Sequence, residues 1–231
     1  MTTSRGNLRK SIIRLTARPP GGRLKPDRRP VRPTSHASEE LPRYLTQDEL
    51  GRFLRAVKTG GSVRDLALFG LMYRYGLRAV EATMLLREDV EVERRRIRIR
   101  RAKHGDAKEY PLAADLVPIL KRYLRKRLDK GPFLFTGRES TNQRGIRELT
   151  VRRLFKQYAA AGDLPADVAS HSLRHSIAVH SLMEGYGLAH VADLLGHRSI
   201  RSTLEYAKIV DPGREQMIHR LDRSRYVVSW S

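Results

Sequence analysis

Not one of the 231 residues is a cysteine, so disulfides, thiolate metal ligands and a cysteine nucleophile are all excluded. No apolar run is long enough to span a membrane, since the stretch around Leu66 to Met72 is cut short by Arg64, Asp65 and Arg74. The basic N-terminus lacks the apolar core of a signal peptide. Acidic residues are scarce: 25 Asp and Glu stand against 46 Lys and Arg, a formal net charge of +21. That imbalance points to a polyanionic partner. Nucleic acid is the commonest, because each phosphate neutralised by Arg or Lys releases condensed counterions, and an anionic membrane surface is the weaker fit. The expectation is a soluble cytoplasmic protein, associated with the nucleoid and without a membrane partner. What the chain does have is 40% hydrophobic residues, enough for a packed core.

Residues 1–40 carry Arg5, Arg9, Lys10, Arg14, Arg18, Arg23, Lys25, Arg28, Arg29 and Arg32, with Pro19-Pro20-Gly21-Gly22 and further prolines at 26, 30 and 33. This composition predicts a basic, mostly disordered arm, either a solvated tail or a segment that follows the DNA backbone. Order is expected from Thr46 and Glu49, a capping box ahead of Leu50, Phe53, Leu54 and Val57. Ser62 and Asp65 repeat the device before Leu66 to Met72, and Gly76 is placed to end that second helix. A short helix carries Val80, Met84 and Leu85. From Val90 to Pro111 the period changes to two, with Ile97 and Ile99 alternating with Arg96, Arg98 and Arg100, which predicts a hairpin or a three-stranded sheet. Helical spacing resumes at Leu116, Ile119, Leu120, Tyr123 and Leu124, with Gly131-Pro132 placed to close it. Phe133 to Phe135 read as buried, 136–147 as a loop, and the remainder as helices. The fold class is mainly α with one small antiparallel β-sheet (α+β).

Three segments carry chemistry: His171-Ser172-Leu173-Arg174-His175, Leu194-Leu195-Gly196-His197 and Ser202-Thr203-Leu204-Glu205-Tyr206. Near a helix start, His171 and Arg174 can share one side, and His175 can join them. Arg offers a planar set of donors matched to phosphate oxygens, and His can donate or accept a proton near neutral pH. Gly196 is placed to end a helix so that His197 projects from the turn. Each segment alone has a plain structural explanation: a helix start with a surface Arg, a C-terminal capping His, a packing Tyr. A zinc site on His171, His175 and His197 is disfavoured, because no Glu lies between the first two as the HExxH mechanism needs and no cysteine can complete it.

Taken together, and with Gly76-Leu77-Arg78-Ala79-Val80-Glu81, the segments resemble those of the tyrosine recombinase family, the phage-integrase type of site-specific DNA recombinase. The likeness extends from Leu41 to about Met217 and includes a lysine hairpin, Ala102-Lys103-His104-Gly105 through Lys108-Glu109-Tyr110-Pro111-Leu112. It implies that Arg78 and Arg174 hold the non-bridging oxygens of a scissile phosphate and that Tyr206 attacks phosphorus to leave a 3′-phosphotyrosyl link. Lys103 would protonate the departing 5′-oxygen, His171 would aid proton transfer and His197 would donate to a phosphate oxygen. Glu81 would orient Arg78, a surface i, i+3 ion pair being its plain alternative. For Lys103 the plain alternative is a charged strand face shared with Arg101 and Lys108. The resemblance implies no metal and no other cofactor, double-stranded DNA as partner, and a homotetramer on synapsed DNA that is a monomer or weak oligomer when free.

Residues 41–231 would form the catalytic domain. Only the arm precedes it here, where most of the family carries a helical core-binding domain, so the chain looks more like the short single-domain recombinases or an isolated catalytic part. Tyr75 stands where the family often has a small hydroxyl residue, and Asp211-Pro212 would break the nucleophile helix. Met217, Ile218 and Leu221 would then face a neighbouring protomer or their own domain. A type IB topoisomerase-like enzyme and a non-catalytic basic DNA-binding module are the competing readings; a metal-dependent nuclease is disfavoured because acidic ligands do not cluster near the histidines.

Overall fold

The computed structural model describes residues 42–102, 107–137, 145–197 and 199–210. The basic arm, Lys103 and the segment holding Met217, Ile218 and Leu221 lie outside the described residues. No described helix is long and apolar enough to cross a membrane.

Helix α1 (Gln47–Gly60) opens on the predicted capping box: Thr46 Oγ1 accepts from the Glu49 N–H at 3.2 Å, and Glu49 Oε2 accepts from the Thr46 N–H at 2.8 Å. Ser62 caps α2 (Val63–Arg74) in the same way, its Oγ accepting from the Asp65 N–H at 3.2 Å. These bonds satisfy donors that a helix start would leave unpaired. Helix α2 is the spine, packed by α1 and by two later helices, α4 (Leu116–Lys126) and α6 (Ser170–Met183). Phe53 of α1, Phe69 of α2 and Phe155 of α5 (Glu148–Ala161) form the aromatic centre, with ring centroids 4.8 to 6.2 Å apart.

Gly76 ends α2 at φ +56°, a left-handed conformation that glycine adopts without a Cβ penalty. Helix α3 (Ala79–Met84) follows, then strands β1 (Val90–Glu91), β2 (Arg96–Ile99) and β3 (Lys108–Pro111), paired antiparallel in that order. The register sets Ile97 opposite Tyr110 and Ile99 opposite Lys108. Ile97 and Ile99 are buried while Arg96 and Arg98 are exposed, as period two requires. The Tyr75 hydroxyl donates to the Pro111 carbonyl at 2.8 Å and accepts from the Ala113 N–H at 2.8 Å, tying the end of β3 to α2. The larger residue at this position therefore has a structural use.

Helix α4 (Leu116–Lys126) stops well before Gly131-Pro132, contrary to the sequence expectation. Arg127 ends it: the residue turns to extended backbone and its guanidinium reaches Asp129 and the carbonyls of Phe133 (2.6 Å) and Leu134 (2.9 Å). Leu134 and Phe135 are buried and Phe133 is half-buried, the segment being held by the Leu134 N–H donating to the Leu85 carbonyl at 2.7 Å. Helices α6 (Ser170–Met183), α7 (Leu188–Leu195) and α8 (Arg201–Ile209) share a second, smaller apolar cluster made of Ile177, Ala178, Val179, Val191, Leu195 and Tyr206. The fold is mainly helical with one three-stranded antiparallel sheet among the described residues, as the sequence predicts.

Candidate active site

Arg78 sits at the N-terminus of α3, where its main-chain N–H donates to Glu81 Oε2 at 3.0 Å and its Nη1 donates to Glu81 Oε1 at 2.7 Å. The Glu81 side chain is fully buried, so the surface ion-pair alternative fails. It binds two further arginines. Arg101 Nη1 donates to Oε2 at 2.9 Å, and Arg174 Nη1 lies 3.9 Å from the same oxygen. Burial pushes the Glu81 carboxyl up, but the Arg78 N–H and the Arg101 charge outweigh it and hold the group below its usual range.

Arg101 was expected only as part of a charged strand face. It is buried instead, and its Nη2 donates to the carbonyls of Tyr75 (3.0 Å) and Leu194. One signal was present in the sequence: Ile97, Ile99 and Arg101 share the inward parity of β2, and an arginine on that side needs a buried carboxylate. The Arg101 side chain also lies where a Cβ on Gly196 would meet it at 2.7 Å, so the two residues fit only as a pair. Gly196 adopts φ +65°, ending α7 and turning the chain to His197.

Arg174 lies on the first turns of α6, only 2% exposed. Its Nη1 donates to the Gly76 carbonyl at 2.5 Å and its Nη2 to the Leu195 carbonyl at 2.7 Å. Each Nη keeps a second hydrogen and Nε keeps its own, three donors for an incoming anion. Desolvation, reinforced by the Arg78 charge, brings its pKa down to about 10. Arg78, 30% exposed at its side chain, forms the open side of the same cradle.

His171 projects from the start of α6 and is exposed. Desolvation and then the charges of Arg174 and Arg78 lower its pKa. The same causes hold His197 at about 4, and the His197 ring is fixed by a 2.9 Å hydrogen bond between Nδ1 and Thr203 Oγ1. Thr203 and Tyr206 are three apart on α8 and both are buried, so one helix face orients the histidine and presents the tyrosine. The Tyr206 hydroxyl is hydrogen-bonded to His175 Nδ1 at 2.8 Å. Burial pushes the phenol up, opposed by Arg174 and Arg78.

The structure thus brings Arg78, Glu81, His171, Arg174, His197 and Tyr206 together, and adds Arg101, Thr203 and His175 to them. Lys103 lies outside the described residues, two positions after Arg101. Among the described residues no group of histidines and carboxylates is arranged to hold a metal ion. What has been assembled is a cradle of guanidinium and imidazole groups with a phenol beside it, suited to a tetrahedral anion.

Two similar proteins carry the name tyrosine recombinase. Tyrosine recombinase XerA of Pyrococcus furiosus is 31% identical over 180 residues, which cover 78% of this chain and 62% of the relative. Tyrosine recombinase XerC of Neisseria meningitidis serogroup C is 33% identical over 195 residues, 82% of this chain and 60% of the relative. The chain therefore spans about three fifths of the length of these relatives. In fold it resembles the catalytic domain of bacteriophage HP1 integrase, with a TM-score of 0.57 at 19% identity, covering 82% of this chain and all of that one. The sequence profile of the phage integrase family matches residues 43–211, a span that contains every residue of the cradle. The chain belongs to the phage integrase family.

Proposed function

We propose that this protein is a site-specific DNA recombinase that cleaves and rejoins double-stranded DNA through a 3′-phosphotyrosyl intermediate, with residues 41–231 as its catalytic domain. The observation that carries this reading is the convergence on one cradle of two phosphate-competent arginines and a buried tyrosine hydroxyl whose acidity both arginines influence. Arg78 and Arg174 would grip the two non-bridging oxygens and stabilise the charge that builds up in the pentacoordinate transition state. His197, neutral and fixed by Thr203, would donate to a phosphate oxygen through Nε2. Tyr206 would attack phosphorus, conserving the energy of the phosphodiester in a covalent link. Lys103 would protonate the departing 5′-oxygen, with His171 aiding proton transfer. Glu81 would orient Arg78, and a tetramer would assemble on synapsed DNA. The formal charge of +21 and the description of the relatives as tyrosine recombinases support DNA as the substrate.

A duplex carrying a nick close to the cleavage site traps the intermediate. Wild-type protein is expected to give a covalent protein–DNA band on a denaturing gel in the presence of a metal chelator, and Tyr206→Phe none. If both proteins bind DNA and neither gives the band, the non-catalytic binding module is the correct reading. Supercoil relaxation without strand exchange would favour the type IB topoisomerase-like version.

A further inference from the structure

Every route to the phosphotyrosyl link requires the phenolic proton of Tyr206 to leave, and the neighbours of that hydroxyl are few. Its one hydrogen bond among the described residues is to His175 Nδ1, at 2.8 Å, with the two rings 5.6 Å apart at 48°. His171, the histidine that opens α6, is one ring further out, its centroid 6.1 Å from that of His175. We propose that His175 is a catalytic residue that accepts the Tyr206 proton as the tyrosine attacks phosphorus. This rests on the recombinase reading and adds to it a proton acceptor distinct from His171.

The chemistry of the pair fits. The groups acting on His175 are His171 and Arg174 on its own helix and His197 from the turn after α7; on α8 it meets Tyr206. Burial first, then these neighbours, hold its pKa at about 4, so at neutral pH the ring is uncharged. With its one hydrogen on Nε2, Nδ1 carries a lone pair, and the phenol O–H donates to it. A scissile phosphate seated between Arg78 and Arg174 would bring negative charge into the cradle and favour an imidazolium, raising the basicity of His175 when the substrate arrives. In cleavage the Tyr206 O–H bond breaks and its proton passes to Nδ1. The bond from Oη to phosphorus forms, the bond from phosphorus to the 5′-oxygen breaks, and that oxygen takes a proton from an ammonium donor, for which Lys103 is the candidate. Religation returns both protons.

The test is the single-turnover rate of covalent complex formation on the nicked duplex, alongside a gel-shift measurement of DNA binding. His175→Ala is expected to bind DNA normally and to cleave at least about 100-fold more slowly, the usual scale for losing a positioned base. His175→Asn, whose side-chain oxygen can accept a hydrogen bond near the place of Nδ1 but cannot hold the proton, is expected to stay as slow; it decides the matter if the alanine variant does not fold. Recovery of the wild-type rate by His175→Asn would overturn the proposal, reducing His175 to an orienting group. Unchanged or faster cleavage by His175→Ala would also overturn it, the latter meaning that the bond only stores the tyrosine. On a duplex with sulfur in place of the 5′-bridging oxygen, whose leaving group needs no proton, His175→Ala should remain slow relative to wild type. Full rescue there would place His175 on the leaving-group side and overturn the assignment. If wild-type protein itself forms no covalent complex while binding DNA, the recombinase reading fails and the proposal with it.

Discussion

Removing the carboxylate of Glu81 would leave Arg101 and Arg174 buried beside one another without a counter-charge. Breaking a buried ion pair by deleting one partner costs about 3–5 kcal/mol, so Glu81→Ala should unfold at a markedly lower urea concentration than wild type. The pH dependence has a definite sign. The Glu81 carboxyl titrates below its usual 4.5 in the folded protein, so its stabilising effect is complete above pH 4.5 and is lost as pH falls through the lower folded value. Histidines act in the window above. His175 and His197 titrate at about 4 when folded and near 6.5 when unfolded, so between those values the unfolded chain binds more protons and stability falls as pH drops. Urea midpoints should therefore decline from pH 6.5 to 4 in wild type. His175→Asn should flatten part of that decline; an unchanged slope would contradict the assignment.

Among the elements, the end of α7 is tightly constrained. Gly196 combines a left-handed backbone at φ +65° with a side-chain neighbour, Arg101, that a Cβ would meet at 2.7 Å. Gly196→Ala is expected to destabilise the fold by on the order of 1 kcal/mol from backbone strain alone, and by more from the displaced Arg101. Under the proposed function, DNA cleavage should fall further than stability, because the same turn sets His197 and the same arginine precedes Lys103; equal losses in the two assays would argue against that coupling. Elements of this kind were largely legible in the sequence. Thr46 with Glu49 and Ser62 with Asp65 mark helix starts through local hydrogen bonding, and the alternation of Ile97 and Ile99 marks β2, since each signal is written within a few residues. The end of α4 was misplaced because Arg127 finds its partners in the chain beyond it, at Phe133 and Leu134, which no helical periodicity encodes.

At the scale of the whole molecule, Arg78, Glu81, His171, Arg174, His197 and Tyr206 were legible as a set only because their segments, taken together, resemble those of the tyrosine recombinase family; each segment alone has a plain structural explanation. The supporting contacts of these residues were not legible. Arg101 and Glu81 are 20 positions apart, Arg101 and Leu194 are 93 apart, and only the folded chain makes one carboxylate serve three arginines. That shared carboxylate has a thermodynamic consequence. Three guanidinium groups facing one carboxylate leave two positive charges uncompensated in a largely buried place, so the cradle without a bound anion is an electrostatically unfinished folding unit. A tetrahedral anion should finish it. Sulfate or inorganic phosphate is expected to raise the melting temperature more than chloride at equal ionic strength, following mass action on a site present only in the folded state, and Arg174→Ala should abolish the difference. In that sense the scissile phosphate would be the last structural component of the domain, and the tightness of its grip would measure how much repulsion the empty fold endures.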